Sequence, residues 1–295
     1  MNKKSMIIAV AIASMMFLLG GCSMSGQSKS GERQQVEGLK ELGTIQVISR
    51  EEGSGTRSTF AQMADFQADS SSGKTDLTSE DALIANDAEE VIRNVENNRS
   101  AIGYVSEAAL KGDEEVKVLN IEGRNSEENE KYPLSRDFYL TYSGKLNELE
   151  QDFLTYIHGA GQEIVGQDYV QVAKSSSFLS NKAAGEITIE GSTSVAPLME
   201  QLAEAYEKIN TNAKITVTAT DSSKGLTKAM SGECDFGMSS RNLKDYEKEL
   251  LDYETIARDH IVVIVEENNP LDDITLEELR LIYTGEMSNW NDLNQ

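Results

Sequence analysis

At 295 residues, 39% of them hydrophobic, the chain is long enough for one large domain or two modest ones with an ordinary core. Three prolines and seven phenylalanines exclude a proline-rich or aromatic-repeat protein, and a formal net charge of −23 excludes a nucleic-acid partner, which needs basic patches. The same charge repels anions at long range, so an anion site must be built locally from dipoles and a few cations.

The chain opens with Lys3 and Lys4, followed by residues 6–19, apolar except for Ser14. Fourteen residues are too few to cross a bilayer of about 30 Å as a helix, and they match the apolar region of a signal peptide. The segment ends Leu19-Gly20-Gly21-Cys22, which resembles a bacterial lipobox and marks Cys22 for lipidation, palmitate included. Acyl chains there would hold the protein at a membrane surface. Cleavage takes both lysines and makes the charge still more negative. Residues 23–40 are rich in Ser, Gly, Gln and charge, without apolar periodicity, and read as a flexible tether.

Beyond the tether, strand and helix patterns alternate, the mark of an α/β architecture. Thr44-Ile45-Gln46-Val47-Ile48 reads as a strand. Residues 174–185, with Ser175-Ser176-Ser177 and Ala183-Ala184-Gly185, read as a surface linker. Val195, Leu198, Met199, Leu202 and Tyr206 recur at helical spacing and predict an amphipathic helix over 195–209, with Pro197 in its first turn. Lys214-Ile215-Thr216-Val217-Thr218 alternates as a strand. Ile261-Val262-Val263-Ile264-Val265 is a β-branched run suited to a strand buried on both faces. Thr275 and Glu278 form a capping box at the start of a further helix. Cys234, the one other cysteine, reads as a small core residue.

Three segments share one design: a strand, a turn of small hydroxyl residues, then a helix. They are Arg50-Glu51-Glu52-Gly53-Ser54-Gly55-Thr56-Arg57, Gly191-Ser192-Thr193-Ser194, and Asp221-Ser222-Ser223-Lys224-Gly225. A helix N-terminus offers unpaired amides and the positive end of its dipole, glycine admits close approach, and hydroxyls add donors that rotate to suit. Each turn alone is equally a plain N-cap; three converging turns would bind a tetrahedral oxyanion. A catalytic reading would make Ser192 or Ser54 a nucleophile, which needs a base and an orienting partner. The two histidines, His158 and His260, lie in no hydrolase motif, and Arg258-Asp259-His260 reads as the edge of a buried strand. Binding, not catalysis, is therefore expected. Without a His/Cys cluster no metal site is expected, and no cofactor.

At these residues the chain resembles the phosphate-binding lipoprotein of the phosphate ABC importer, in the periplasmic-binding-protein family. The matching motifs are Gly191-Ser192-Thr193-Ser194-Val195-Ala196-Pro197, Asp235-Phe236-Gly237-Met238-Ser239-Ser240-Arg241, Thr284-Gly285-Glu286-Met287-Ser288-Asn289-Trp290, Arg50 through Thr56, Ala101-Ile102-Gly103-Tyr104-Val105 and Tyr132-Pro133-Leu134-Ser135-Arg136, covering nearly all of 41–295. Their order departs from the family's, which begins with the Gly191 motif and reaches the Arg50 motif later. A circular permutation explains this better than a fragment of a tandem array: joining Gln295 to Leu42 restores the usual order, and 174–185 becomes the connection between the old ends.

The resemblance implies a two-lobed α/β fold of the periplasmic-binding-protein type II class, circularly permuted. Residues 1–21 would be signal peptide and 22–40 the lipidated cysteine and tether. Residues 41–131 and 266–295 would form one lobe, and 132–265 the other. It implies inorganic phosphate held by Thr193, Ser194, Ser222, Ser240, Arg50, Ser54, Gly55 and Thr56, with Arg50 supplying the direct positive charge or else only a surface ion pair with Glu51 or Glu52. Arg241 would pair locally or lie near the ligand. Some enteric members carry aspartate where Ser240 stands, to accept the proton of hydrogen phosphate. Here Asp221 could serve as that acceptor, or cap the helix that follows. The resemblance further implies a monomer, anchored outside the cytoplasm through Cys22, that delivers its ligand to the permease subunits of an ABC importer. The alternatives are a sensor or surface lipoprotein on the same fold, or a binder of another oxyanion such as sulfate.

Overall fold

A computed structural model of the protein describes residues 35–70, 73–112, 114–126 and 131–294. The signal segment, Cys22 and the tether as far as residue 34 lie outside the described residues. Folded structure begins earlier than Lys40, where the tether was expected to end. Leu39–Leu42 forms a single helical turn, α1, and buries both leucines. The Val36 amide donates to Asn294 Oδ1 at 2.8 Å, and Asn294 Nδ2 donates back to the Val36 carbonyl at 3.1 Å. Two leucines on one face of a turn are enough to dock a segment whose composition is otherwise polar.

The next elements are β1 (Gln46–Arg50), α2 (Gly55–Met63), the hairpin β2 (Gln67–Ser70) and β3 (Gly73–Asp76), β4 (Leu83–Ala85), α3 (Ala88–Glu96) and β5 (Ala101–Ser106). Short strands β6 (Val116–Val118) and β7 (Asn120–Ile121) follow, then β8 (Ser135–Tyr142), α4 (Glu148–His158) and α5 (Gln162–Asp168). The third stretch holds β9 (Gly185–Ser192), α6 (Ala196–Ile209), β10 (Ala213–Thr220), α7 (Ser222–Ser231), β11 (Phe236–Ser239) and α8 (Asp245–Leu250). The chain ends with β12 (Asp252–Glu266), β13 (Asp273–Ile274), α9 (Leu276–Thr284) and a 3₁₀ turn at Trp290–Asn294. Pro197 sits in the first turn of α6, and Thr275 and Glu278 close the capping box of α9. In β10 exposed and partly buried residues alternate, as its period-two pattern requires. Among the described residues no helix is long and apolar enough to cross a membrane.

The main sheet runs β10-β9-β11-β8-β12-β5-β1-β4, with β6 also on β12. Its outer pairs are parallel (β10 with β9, β9 with β11, β5 with β1, β1 with β4), and the three central pairings are antiparallel. The 15-residue β12 holds the two halves together. Its first part pairs with β8, from Asp252↔Tyr142 to His260↔Ser135; from Ile261↔Ser106 onward it pairs with β5.

Separate cores lie on the two halves. One gathers Phe60, Phe66, Tyr104, Tyr283 and Trp290, with the Phe60 and Tyr104 rings stacked at 4.1 Å. The other gathers Phe153, Tyr156, Leu202, Tyr206, Phe236 and Met238. Ile261, Val263 and Val265 pack in the first core, while Val262 and Ile264 pack on the opposite face with Ile48, Val91 and Val105. That is the two-sided burial the apolar run predicts. Tyr132 and Leu134 also join the first core. Between His260 and Ile261, β12 changes partners from β8 to β5.

The stretch expected to be a linker, 174–185, is irregular up to Gly185, which opens β9. Asp152 of α4 pins it, accepting from Ser180 Oγ at 2.6 Å, the Asn181 amide at 3.0 Å and Tyr206 Oη at 2.7 Å. Cys234 is buried and free, and burial pushes its thiol up to about 11, so it is not a reactive thiolate at neutral pH.

Candidate functional site

The three expected strand–turn–helix units all form. After β1, Gly53 at φ +92° turns the chain and Ser54 caps α2, accepting from the Arg57 amide at 3.3 Å. After β9, Thr193, Ser194 and Val195 lead into α6. After β10, Asp221 caps α7, accepting from the Lys224 amide at 2.8 Å. A fourth segment, Ser240-Arg241, follows β11. The N-termini of α2, α6 and α7 therefore bring their amides and dipole ends into one region.

Their hydroxyls meet. Thr56 Oγ1 lies 2.8 Å from Ser194 Oγ, Ser192 Oγ donates to Ser240 Oγ at 2.9 Å, and the Ser240 amide donates to Ser222 Oγ at 3.2 Å. Gly55 closes the gap between halves: a Cβ there would stand 2.3 Å from Ser222 Oγ and 2.4 Å from Ser240 Oγ, so a larger residue would push both hydroxyls out of place. Arg50, 1% exposed, gives Nε and Nη2 to Glu51 at 2.8 and 2.9 Å, and Nη2 also reaches Thr193 Oγ1 at 3.0 Å. Ser54, Thr56, Ser194, Ser222 and Ser240 are all buried. All eight residues expected to bind anion thus lie in the turns that meet at this junction.

Two others take places the sequence left open. Both oxygens of Asp221 are engaged, Oδ1 in the helix cap and Oδ2 with Lys224 Nζ at 3.0 Å. Arg241 is buried against Glu247, with both Nη atoms bonded at 2.8 Å, and its Nη2 lies 3.4 Å from Ser223 Oγ. Burial raises the Glu247 carboxyl, but Arg241 outweighs it and holds the group below the usual carboxylate range. Among the described residues no carboxylate hydrogen-bonds to the hydroxyls of Thr56, Ser192, Ser194, Ser222 or Ser240.

Sequence reasoning missed Arg136. Its Nη1 donates to Thr56 Oγ1 at 2.8 Å, while Nε and Nη2 hold Asp259 Oδ2 at 2.9 and 2.8 Å. Ser106 Oγ donates to Asp259 Oδ1 at 2.8 Å. Burial pushes the Asp259 carboxyl up, against the pull of Arg136. The pair braces Thr56 from behind. A signal was present: Arg136, Phe138 and Leu140 share the buried face of β8 at period two. Ser192, considered as a nucleophile, contributes a hydroxyl to the ring instead. Neither histidine hydrogen-bonds to Ser54 or Ser192: His260 Nδ1 lies 3.0 Å from Glu107, and His158 Nε2 faces Glu254 at 3.7 Å. Among the described residues no group of three or more His, Cys, Asp or Glu is placed to hold a metal ion.

Rotatable hydroxyls, three helix N-termini and the buried guanidinium groups of Arg50 and Arg136 suit a compact oxyanion carrying several acceptor oxygens. Comparison with known proteins agrees. A family model described as a PBP superfamily domain matches residues 31–160 and 176–295. The phosphate-binding protein PstS 2 of Streptococcus pneumoniae serotype 4 is 36% identical over 298 residues, 99% of each chain. The PstS 2 of Streptococcus agalactiae serotype V is 34% identical over 306 residues, all of both chains. The crystal structure of a phosphate-binding protein of a phosphate ABC transporter from S. pneumoniae TIGR4 superposes with a TM-score of 0.71 at 36% identity, over 85% of this chain and 99% of that one. The chain belongs to the PBP superfamily and, within it, to the family of the phosphate-binding proteins PstS.

Proposed function

We propose that this protein captures inorganic phosphate outside the cytoplasm and passes it to an ABC importer, without catalysing a reaction. The observation that carries this reading is the cluster of buried hydroxyls from three strand–turn–helix units, with the buried Arg50 reaching Thr193 beside it. Each charge-assisted hydrogen bond to a bound anion contributes about 1.5–3 kcal/mol, so the donors of Arg50, Ser54, Thr56, Thr193, Ser194, Ser222 and Ser240 and the amides near Gly55 suffice for tight binding. Titration calorimetry on the protein freed of carried-over phosphate tests it: phosphate binds tightly and sulfate does not. Tight sulfate binding would make this a receptor for tetrahedral oxyanions at large. No binding of either would leave a sensor or surface lipoprotein on the same fold.

The fold would work as two lobes, expected as 41–131 with 266–295 and 132–265 and meeting where Tyr132, Leu134 and 261–265 pack on the first of them, that close over the ligand about the crossing at β8 and β12. Their order along the chain is read as a circular permutation, supported by the way the present ends adjoin. Besides the Val36–Asn294 bonds, Thr44 bridges Asn289, the Ile45 amide donates to the Ser288 carbonyl at 2.9 Å and the Trp290 amide to the Gly43 carbonyl at 3.0 Å. A chain relinked from Asn294 to Val36 and reopened within 174–184 is therefore expected to fold and to bind phosphate within about threefold of the original, since no ladder or core residue is cut. A relinked chain that stays unfolded would argue against the permuted reading.

Lipidation at Cys22 would keep a monomer at the outer membrane surface, beside the permease. Labelled palmitate should enter the protein in cells and be lost from Cys22→Ala; equal labelling of both would remove the anchor from this account.

A further inference from the structure

A cavity of about 530 Å³ opens beside the hydroxyl ring and reaches Ser54 and Ser223. Its walls carry Arg57, Lys74, Lys224, Arg241 and Lys244 against Glu52, Asp76 and Asp221, an excess of cations on a chain whose net charge is −23. Three of them are already neutralised: Arg57 by Asp76 at 2.9 Å, Lys224 by Asp221 at 3.0 Å and Arg241 by Glu247 at 2.8 Å. Among the described residues Lys74 and Lys244 make no ion pair, and both are exposed. They come from opposite sides of the opening, Lys74 from the β2–β3 hairpin and Lys244 from the start of α8.

A second opening, about 730 Å³, reaches the same site at Thr193 and Ser194 and has the opposite character. It is lined by Asp87 and Glu89 against a single cation, Lys111, with Ala88, Ala108, Ala109 and Pro197 between them. A phosphate dianion meets repulsion over most of this protein and at this second opening, and attraction at the first.

We propose that phosphate reaches its site through the basic opening, where Lys74 and Lys244 raise the association rate against the repulsion of an acidic chain. The proposal rests on the phosphate reading above. Surface charges of this kind change the rate of encounter by ten- to a thousandfold in low salt, and their reach is about 10 Å at 0.1 M ionic strength. They touch the ligand only in passing, so dissociation is left unchanged.

The test is stopped-flow association of inorganic phosphate at low and high ionic strength. Lys74→Glu/Lys244→Glu is expected to slow association about tenfold in low salt and less than about twofold near 0.5 M, with the dissociation rate held within about twofold. Lys74→Arg/Lys244→Arg should match the original, and Lys111→Glu at the other opening should leave the rate unchanged. All three sites are exposed, and thermal unfolding of each variant checks that the fold is kept. Association unaltered by the double reversal, or slowed more by Lys111→Glu, overturns the route while phosphate binding itself stands. A protein that binds no phosphate overturns both.

Discussion

Arg50→Ala is expected to weaken phosphate binding at least a hundredfold while the protein stays folded. Arg50 is one of two buried guanidinium groups at the hydroxyls, reaching Thr193 while Arg136 holds Thr56. It ends β1 at 1% exposure, is steered by Glu51, and crosses to Thr193 on the other half. Truncation removes one or two charge-assisted hydrogen bonds of about 1.5–3 kcal/mol each, a total near 3–4 kcal/mol, or roughly 10²–10³ in Kd. It also frees Glu51 to face the anion. Arg50→Lys keeps the charge but cannot bond Glu51 through a planar fork and reach Thr193 together, so an intermediate loss of roughly tenfold is expected. Calorimetric titration of both variants, beside thermal unfolding, measures the series. Binding by Arg50→Ala within about threefold of the original would remove Arg50 from the site and with it the charge balance on which the phosphate reading depends.

The parts of this fold that sequence exposed are those governed by local rules. Ser54, Asp221 and Thr275 sit as helix caps because a short polar side chain before an apolar periodic run has one good use. The run 261–265 announced a strand buried on both faces. What stayed hidden depends on partners distant in the chain. Only Arg258-Asp259-His260 reads as a strand edge from sequence, yet all of 252–260 forms the first part of β12, because Asp259 is neutralised by Arg136 and Arg258 pairs with Asp137 at 3.0 Å, both across on β8. Once such a pairing partner is unknown, a buried charge looks like a surface one. The same blindness concealed Arg136 itself and the change of partner from β8 to β5 after His260. The early start of the fold at Val36 escaped notice for another reason. Its docking depends on Asn294, at the far end of the chain.

The Arg136–Asp259 pair gives the largest expected effect on stability. It lies where β12 changes partners, and its bonds join four elements: β8 through Arg136, β12 through Asp259, β5 through Ser106 and α2 through Thr56. Both side chains are essentially excluded from water. Removing one member leaves the other as an uncompensated buried charge, at a cost of about 3–5 kcal/mol. Asp259→Ala should therefore lower the midpoint of thermal unfolding by roughly 10 °C in a chain of this size. Replacing both groups by apolar residues of similar volume, Arg136→Met with Asp259→Leu, removes the stranded charge and should recover most of the loss. Binding separates the two roles. In the double variant Thr56 Oγ1 has lost its donor at 2.8 Å and is free to turn away from the ligand. A neutral-to-charged hydrogen bond of this kind is worth about 1.5–3 kcal/mol, so phosphate affinity should stay at least roughly tenfold below that of the original even where stability returns. A double variant that recovered both stability and affinity would make the pair a structural brace alone. One that recovered stability and not affinity would show that Arg136, which never needs to touch phosphate, orients the hydroxyl that does.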